Sequence, residues 1–189
     1  MKKTSNLFPL LLMLALAVLS FWLERAVQLP EYDKSGNTRH DPDFIADDFG
    51  ITKMNGAGKP EYTVSAERML HYPDDDSTAV EMPRMVQRRD QAPAIVIRAD
   101  RGLISKGGEE TNFYGNVVVI REAGKDGKEL RVLTEYLQIF PERDIARTNR
   151  PVTLTEGGSR LTGVGMEVNN KTRQFQLQSQ VKGTFYAAK

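Results

Sequence analysis

From Asp43 onward, apolar and polar residues alternate with a period of two, and no stretch sustains the 3.6-residue period of an amphipathic helix. The alternation predicts nine strands, at 44–54, 61–72, 78–88, 94–105, 112–121, 129–140, 145–155, 160–169 and 174–185. Between them stand turn formers: Asn55-Gly56, Asp74 to Asp76, Gly107-Gly108, Gly124 to Gly127, Pro141-Glu142, Gly157-Gly158 and Asn169-Asn170. Residues 44–189 therefore read as one all-β domain.

The strands repeat. Ala66, Ala99, Thr134 and Gly165 fall in one column, separated by 33, 35 and 31 residues. Four residues before each stands Tyr62, Ile95, Leu130 or Leu161; three residues after each stands Met69, Gly102, Leu137 or Val168. The apolar parity thus slips by one at the small residue, which predicts a bend or bulge where each strand changes facing. Pro83, Asn116 and Pro151 follow the first three column members by 17 residues and mark the return strands. About 33 residues per hairpin favours stacked antiparallel hairpins over an immunoglobulin-like Greek key, whose turns come every 8–12 residues. The inward set is Tyr62, Val64, Ile95, Ile97, Val117, Val119, Leu130, Val132, Leu137, Ile139, Val152, Leu154, Leu161, Met166, Val168, Phe175, Leu177 and Val181. Alternation alone is compatible with a packed core, which the apolar character of most interiors favours, and with a groove between unclosed sheets.

Ahead of the domain lies a different pattern. Residues 7–23, LFPLLLMLALAVLSFWL, are apolar except for Ser20, and the 20 residues from Thr4 to Leu23 carry no charge. As a helix they span about 30 Å, enough to cross a bilayer. Lys2 and Lys3 in front orient residues 1–6 to the cytoplasm and the rest outward, with Phe21 and Trp22 near the outer headgroups. Ala15-Leu16-Ala17 resembles a signal-peptidase site, but the apolar run continues six residues past it, which favours a retained anchor. Residues 24–43 are polar, with Pro30, Gly36, Asn37 and Pro42, and read as a tether in which His40 is solvated.

Charge and composition narrow the function. The 189 residues hold 26 Lys+Arg, 25 Asp+Glu and no Cys. Past residue 23 the balance is 24 basic to 25 acidic, so the basic face that nucleic acid requires is absent. Lack of Cys removes disulfides, thiolate metal sites and Cys nucleophiles. No HExxH, GxSxG, Walker A or GxGxxG motif occurs. His71 is expected to be a hydrogen-bonded structural residue, and Asp74 to Asp76 a solvated turn that lacks the further ligands of a calcium loop. Asp100 and Glu135 occupy one repeat position, which points to repeated surface and not to an acid–base pair. The expectation is no enzyme, no cofactor and no metal.

A short basic start, one anchor, a tether and an array of long repeated strands together resemble the LptC family of lipopolysaccharide export. The resemblance is carried by 62–67 (YTVSAE), 97–100 (IRAD), 112–117 (NFYGNV), 133–137 (LTEYL), 148–152 (TNRPV) and the strand holding Gly163 and Gly165. It implies an open β-jellyroll held at the inner membrane beside an ABC transporter, its β-domain in the periplasm. It further implies that lipopolysaccharide arrives from that transporter and leaves to a periplasmic bridge jellyroll. The lipid would lie against Tyr62, Val64, Ile95, Ile97, Val117, Val119, Leu130, Val132, Leu137, Ile139, Val152, Leu161, Met166, Val168, Phe175 and Leu177. The transporter-facing edge would hold Phe44, Ile45, Phe49 and Ile51, and the bridge-facing edge Phe175, Leu177, Val181 and Phe185. The other reading is an anchored envelope-interaction domain with a packed, empty interior.

Overall fold

The computed structural model describes residues 7–27, 40–89, 92–124 and 127–186. It divides into two units, Met1–Arg39 and His40–Lys189. Residues 1–6, expected in the cytoplasm, and residues 28–39 of the expected tether lie outside the described residues.

In the first unit, α1 runs Leu7–Val27. Within the described residues it covers the apolar run 7–23 and continues four residues past Leu23, through Glu24 and Arg25. Its described side chains are all exposed, from Leu12 at 52% to Met13 at 75%. Among the described residues, no helix is long and apolar enough to cross a membrane.

The second unit is all-β. Its strands are β1 (Phe44–Met54), β2 (Pro60–Tyr72), β3 (Ser77–Glu81), β4 (Arg84–Arg89), β5 (Ala92–Arg98), β6 (Arg101–Ser105), β7 (Glu110–Arg121), β8 (Leu130–Phe140), β9 (Ile145–Glu156), β10 (Ser159–Asn169) and β11 (Gln174–Thr184). All belong to one antiparallel sheet in the order β11, β10, β9, β8, β7, β5, β4, β2, β3, β6, with β1 on the outer side of β2 and β6 also paired to β7. Nine strands were expected and eleven occur among the described residues, because two long strands are each broken at a kink. The strand expected at 78–88 splits into β3 and β4 at Met82-Pro83, and that at 94–105 into β5 and β6 at Ala99-Asp100. Proline removes a ladder donor and Met82 takes a positive φ of 50°, so pairing lapses there.

These breaks fall on the predicted column. Ala66, Ala99 and Thr134 are buried, at 7%, 5% and 7% exposure. Register shifts lie beside them: Tyr114/Val117 between β7 and β8, Thr134/Gln138 between β8 and β9, and Val164/Met166 between β9 and β10. The result is a crease across the whole sheet that folds it into two layers. One layer holds β3, β6 and the outer ends of β7 to β10 around Phe113, Leu137, Ile139 and Val168; the other holds β4, β5 and the opposite ends around Ile97, Val119 and Val132. The crease is bonded internally. The Asn116 amide donates to the Asp100 carboxylate at 2.8 Å, the Met82 N–H to the Asp100 carbonyl at 2.9 Å, and the Thr134 and Thr148 hydroxyls meet at 3.4 Å in a buried pair. Asp100 is thus spent on backbone architecture.

Both histidines tie the start of β1 to the β2–β3 turn. His71 Nδ1 lies 2.7 Å from Asp43 and Nε2 3.4 Å from Asp76. His40 was expected to be merely solvated; instead it stacks on Tyr72 with centroids 3.9 Å apart and meets Asp74 at 3.0 Å. Hydrogen bonds to Asp43 and then Asp76 raise the His71 pKa above its ordinary value, and the bond to Asp74 raises that of His40. A raised folded-state pKa gives a contribution that is complete below the unfolded value of about 6.5 and is lost as pH rises through the folded one. An NMR titration is expected to place the His71 midpoint above that of the urea-unfolded chain; identical midpoints would show that the tie does not form.

Candidate functional site

The crease brings the inward faces of both layers together without filling the space between them. A cavity of about 420 Å³ remains, within the range of roughly 300–1,000 Å³ typical of small-molecule sites. One wall carries Tyr62, Met85, Ile95, Ile97, Val119, Leu130, Val132 and Leu154; the other carries Leu137, Ile139, Phe140, Ile145, Ala146, Met166, Val168 and Phe175. Strand alternation sends most of these positions inward; the consecutive pairs Ile139-Phe140 and Ile145-Ala146 flank the β8–β9 turn instead. At the crease end the cavity closes on a buried cluster that includes Phe113, Val117 and Val152.

Polar groups gather at the end away from the crease. Gln87, Arg89, Arg121 and Glu156 project from one layer, Asp144 and Asn170 from the other. Arg121 meets Glu156 at 2.6 Å along its own layer, whereas Arg89 pairs with Asp144 across the opening. The site therefore has a hydrocarbon-like interior and a charged mouth. His40, Asp74 and Asp75 lie close enough to share an ion, but all three are exposed, and Asp75 already accepts the Ser77 N–H at 3.0 Å.

Eleven of the sixteen residues expected against lipid stand on the cavity wall: Tyr62, Ile95, Ile97, Val119, Leu130, Val132, Leu137, Ile139, Met166, Val168 and Phe175. The other five do not. Val117 and Val152, at 1% and 2% exposure, are sealed in the core at the crease, where the bulges draw the layers together. Leu161 and Leu177 pack against that core from strands near the sheet's end, and Val64 lies between Ile51 and Met85. Sequence reasoning placed Leu154 inside but not among the lipid contacts, and it missed Met85, Phe140, Ile145 and Ala146. Met85 shares the parity of Gln87 and could have been found by alternation; Phe140, Ile145 and Ala146 stand at the ends of β8 and β9, where the alternation breaks.

Among the described residues the two outer strands leave their far edges unpaired: β1 bonds only to β2, and β11 only to β10. Apolar side chains remain exposed on both, including Phe44 (53%), Ile45, Ile51, Phe175 and Val181, and Phe185 (78%) follows directly after β11. Phe49 and Leu177 are half-buried and turn inward, so of the expected edge residues these two offer backbone rather than side chain to a neighbour.

The crystal structure of LptH from Pseudomonas aeruginosa, described as the LptA-homologous periplasmic component of the lipopolysaccharide transport device, superimposes with a TM-score of 0.51. Identity is 8%, and the match covers 80% of this chain and 100% of LptH, so it speaks for the fold alone. No curated protein matches the sequence. The family model described as lipopolysaccharide-assembly, LptC-related, matches residues 10–187. Because that match runs from the N-terminal helix through the last described strand, the chain belongs to the LptC family.

Proposed function

We propose that this chain takes lipopolysaccharide from an inner-membrane ABC transporter and hands it to a periplasmic bridge jellyroll, with the acyl chains held in the cavity between the two layers. The observation that carries this reading is the cavity itself. Water-exposed acyl chain costs about 0.8 kcal/mol per CH₂, so a lipid crossing an aqueous space needs continuous apolar shelter. A packed interior, the competing reading, would leave no such space between Ile97, Val119 and Met166.

The unpaired edges supply assembly in this scheme. Exposed strand edges are normally an aggregation hazard; here β1 would receive the transporter's jellyroll and β11 the bridge protein by strand addition, aligning successive grooves. Residues 7–23 would hold the domain at the inner membrane. That anchor rests on the uncharged stretch of sequence from Thr4 to Leu23, which begins ahead of the described residues. The chain acts as a transport component and not as an enzyme; energy must come from its partners, since it has no nucleotide-binding motif. Affinity must stay moderate, because a site that traps its cargo cannot pass it on.

A photo-crosslinking residue at Ile97, Val119 or Met166 is expected to capture lipopolysaccharide when transporter and ATP are supplied, and one at outward-facing Arg98 to capture little. Equal capture at inward and outward positions would sink the groove.

A further inference from the structure

The mouth of the groove contains one contact that the role of a passive slot does not require. Arg89 ends β4 in one layer, and Asp144 sits in the β8–β9 turn of the other, 55 residues along the chain. Their side chains are paired, and both line the cavity. Each is held from behind. With the Gln87 amide assigned in the orientation that satisfies both of its ends, its oxygen accepts from Arg89 Nη2 at 3.0 Å, from Arg89 Nε at 3.1 Å and from the Tyr62 hydroxyl at 3.0 Å. Asp144 adopts a left-handed conformation with φ 55°, its N–H bonded to the Pro141 carbonyl at 3.2 Å and its own carbonyl accepting from the Asn170 N–H at 2.9 Å. Among the described residues this is the ion pair that joins the two layers across the opening; the Arg121–Glu156 pair stays within one layer.

We infer that Arg89 and Asp144 form a releasable clasp across the groove mouth, and that a phosphate-bearing lipid opens it by replacing Asp144 on the Arg89 guanidinium. The inference rests on the lipid-carrying role proposed above and adds a gate to it. A pair about 40% and 27% exposed is weakly held, as a gate must be. Arginine donates to phosphate as it does to carboxylate, so a phosphate oxygen can replace the Asp144 oxygen at Nη2 while Gln87 holds the guanidinium in place. An apolar tail alone offers nothing for Arg89 once Asp144 has moved away. The clasp would therefore favour amphiphiles with an anionic head over neutral ones of equal tail length.

The test uses the full-length chain and two fluorescent probes, hexa-acyl lipid A and the same lipid stripped of its phosphates. Asp144→Asn should raise the capture rate of both probes by about threefold, the size expected for releasing one weak ion pair. Arg89→Gln should raise the rate for the stripped probe equally while shortening the residence time of intact lipid A. The swapped double variant Arg89→Asp/Asp144→Arg should return the stripped probe to its original rate, and unchanged melting temperatures would confirm that the fold persists. Normal capture by the parent chain with no acceleration in Asp144→Asn overturns the clasp and leaves the groove standing, as does failure of the swap to restore the rate. If the parent chain captures neither probe, the groove reading itself fails and the clasp falls with it.

Discussion

Val119→Asp is expected to weaken retention of lipid A by roughly 30-fold or more, while the fold survives. Val119 sits on the cavity wall, with Ile97 beside it on β5 and Val132 on β8. It is half-buried, so in the empty groove the new carboxylate keeps part of its water. Acyl chains arriving against it would strip that water without offering a hydrogen bond. Desolvating an unpaired polar group costs about 1–3 kcal/mol by mutational measures, and more for a charge; ~2 kcal/mol corresponds to about 30-fold in affinity. Arg98→Asp, one residue along β5 from Ile97 and on the opposite face, should leave retention unchanged. Equilibrium titration with labelled lipid A reads both variants, and equal weakening by the two would mean that the effect is net charge and not groove chemistry.

Gly165→Val is expected to cost about 2–4 kcal/mol of stability, concentrated at the β10–β11 edge. Gly165 has φ 77°, a region that a β-branched residue adopts only under strain. An added Cβ would collide with the Gln178 amide oxygen and lie 3.0 Å from its Cβ, so the Gln178 side chain must swing away and its Cβ give way slightly, on top of the backbone strain. The position belongs to the crease, where the register of β10 slips against β9 between Val164 and Met166. Loss of that kink would pull the two layers out of alignment at the end where the bridge protein is proposed to dock. Gly56→Ala, in an open turn with nothing within 4 Å, should cost little beyond solvent exposure. Urea midpoints separate the two, and amide exchange should show β11 opening first; a Gly165→Val midpoint equal to that of the parent would remove the crease argument.

Much of the architecture was legible in the alternation. Strand positions depend on side-chain facing, and facing is a local property: Ile95, Ile97, Leu130 and Val132 alternate because one side of each strand is dry. The crease was legible too, since a parity slip at Ala66, Ala99, Thr134 and Gly165 is a local signature repeated four times. The breaks at Met82 and Ala99 were not foreseen as strand ends, because a bulge that keeps its pairing and one that loses it leave the same pattern in sequence. His40 was misjudged for a related reason: its stacking on Tyr72 and bond to Asp74 join residues more than 30 positions apart.

By itself, then, the sequence determined that this is a neutral, cysteine-free array of bulged strands behind an uncharged helical segment, and which side chains face inward. It did not determine how far apart the inward faces stand. Alternation assigns each residue a side but carries no distance between sides, so packed core and open groove share one pattern. Only the tertiary structure set Val117 and Val152 apart from the cavity wall: they share one buried core with Leu137 and Met166, but only the latter two border the open space. Only it brought Arg89 to Asp144, because that meeting depends on the angle at which two layers fold toward each other, and the angle is the sum of small displacements at every bulge.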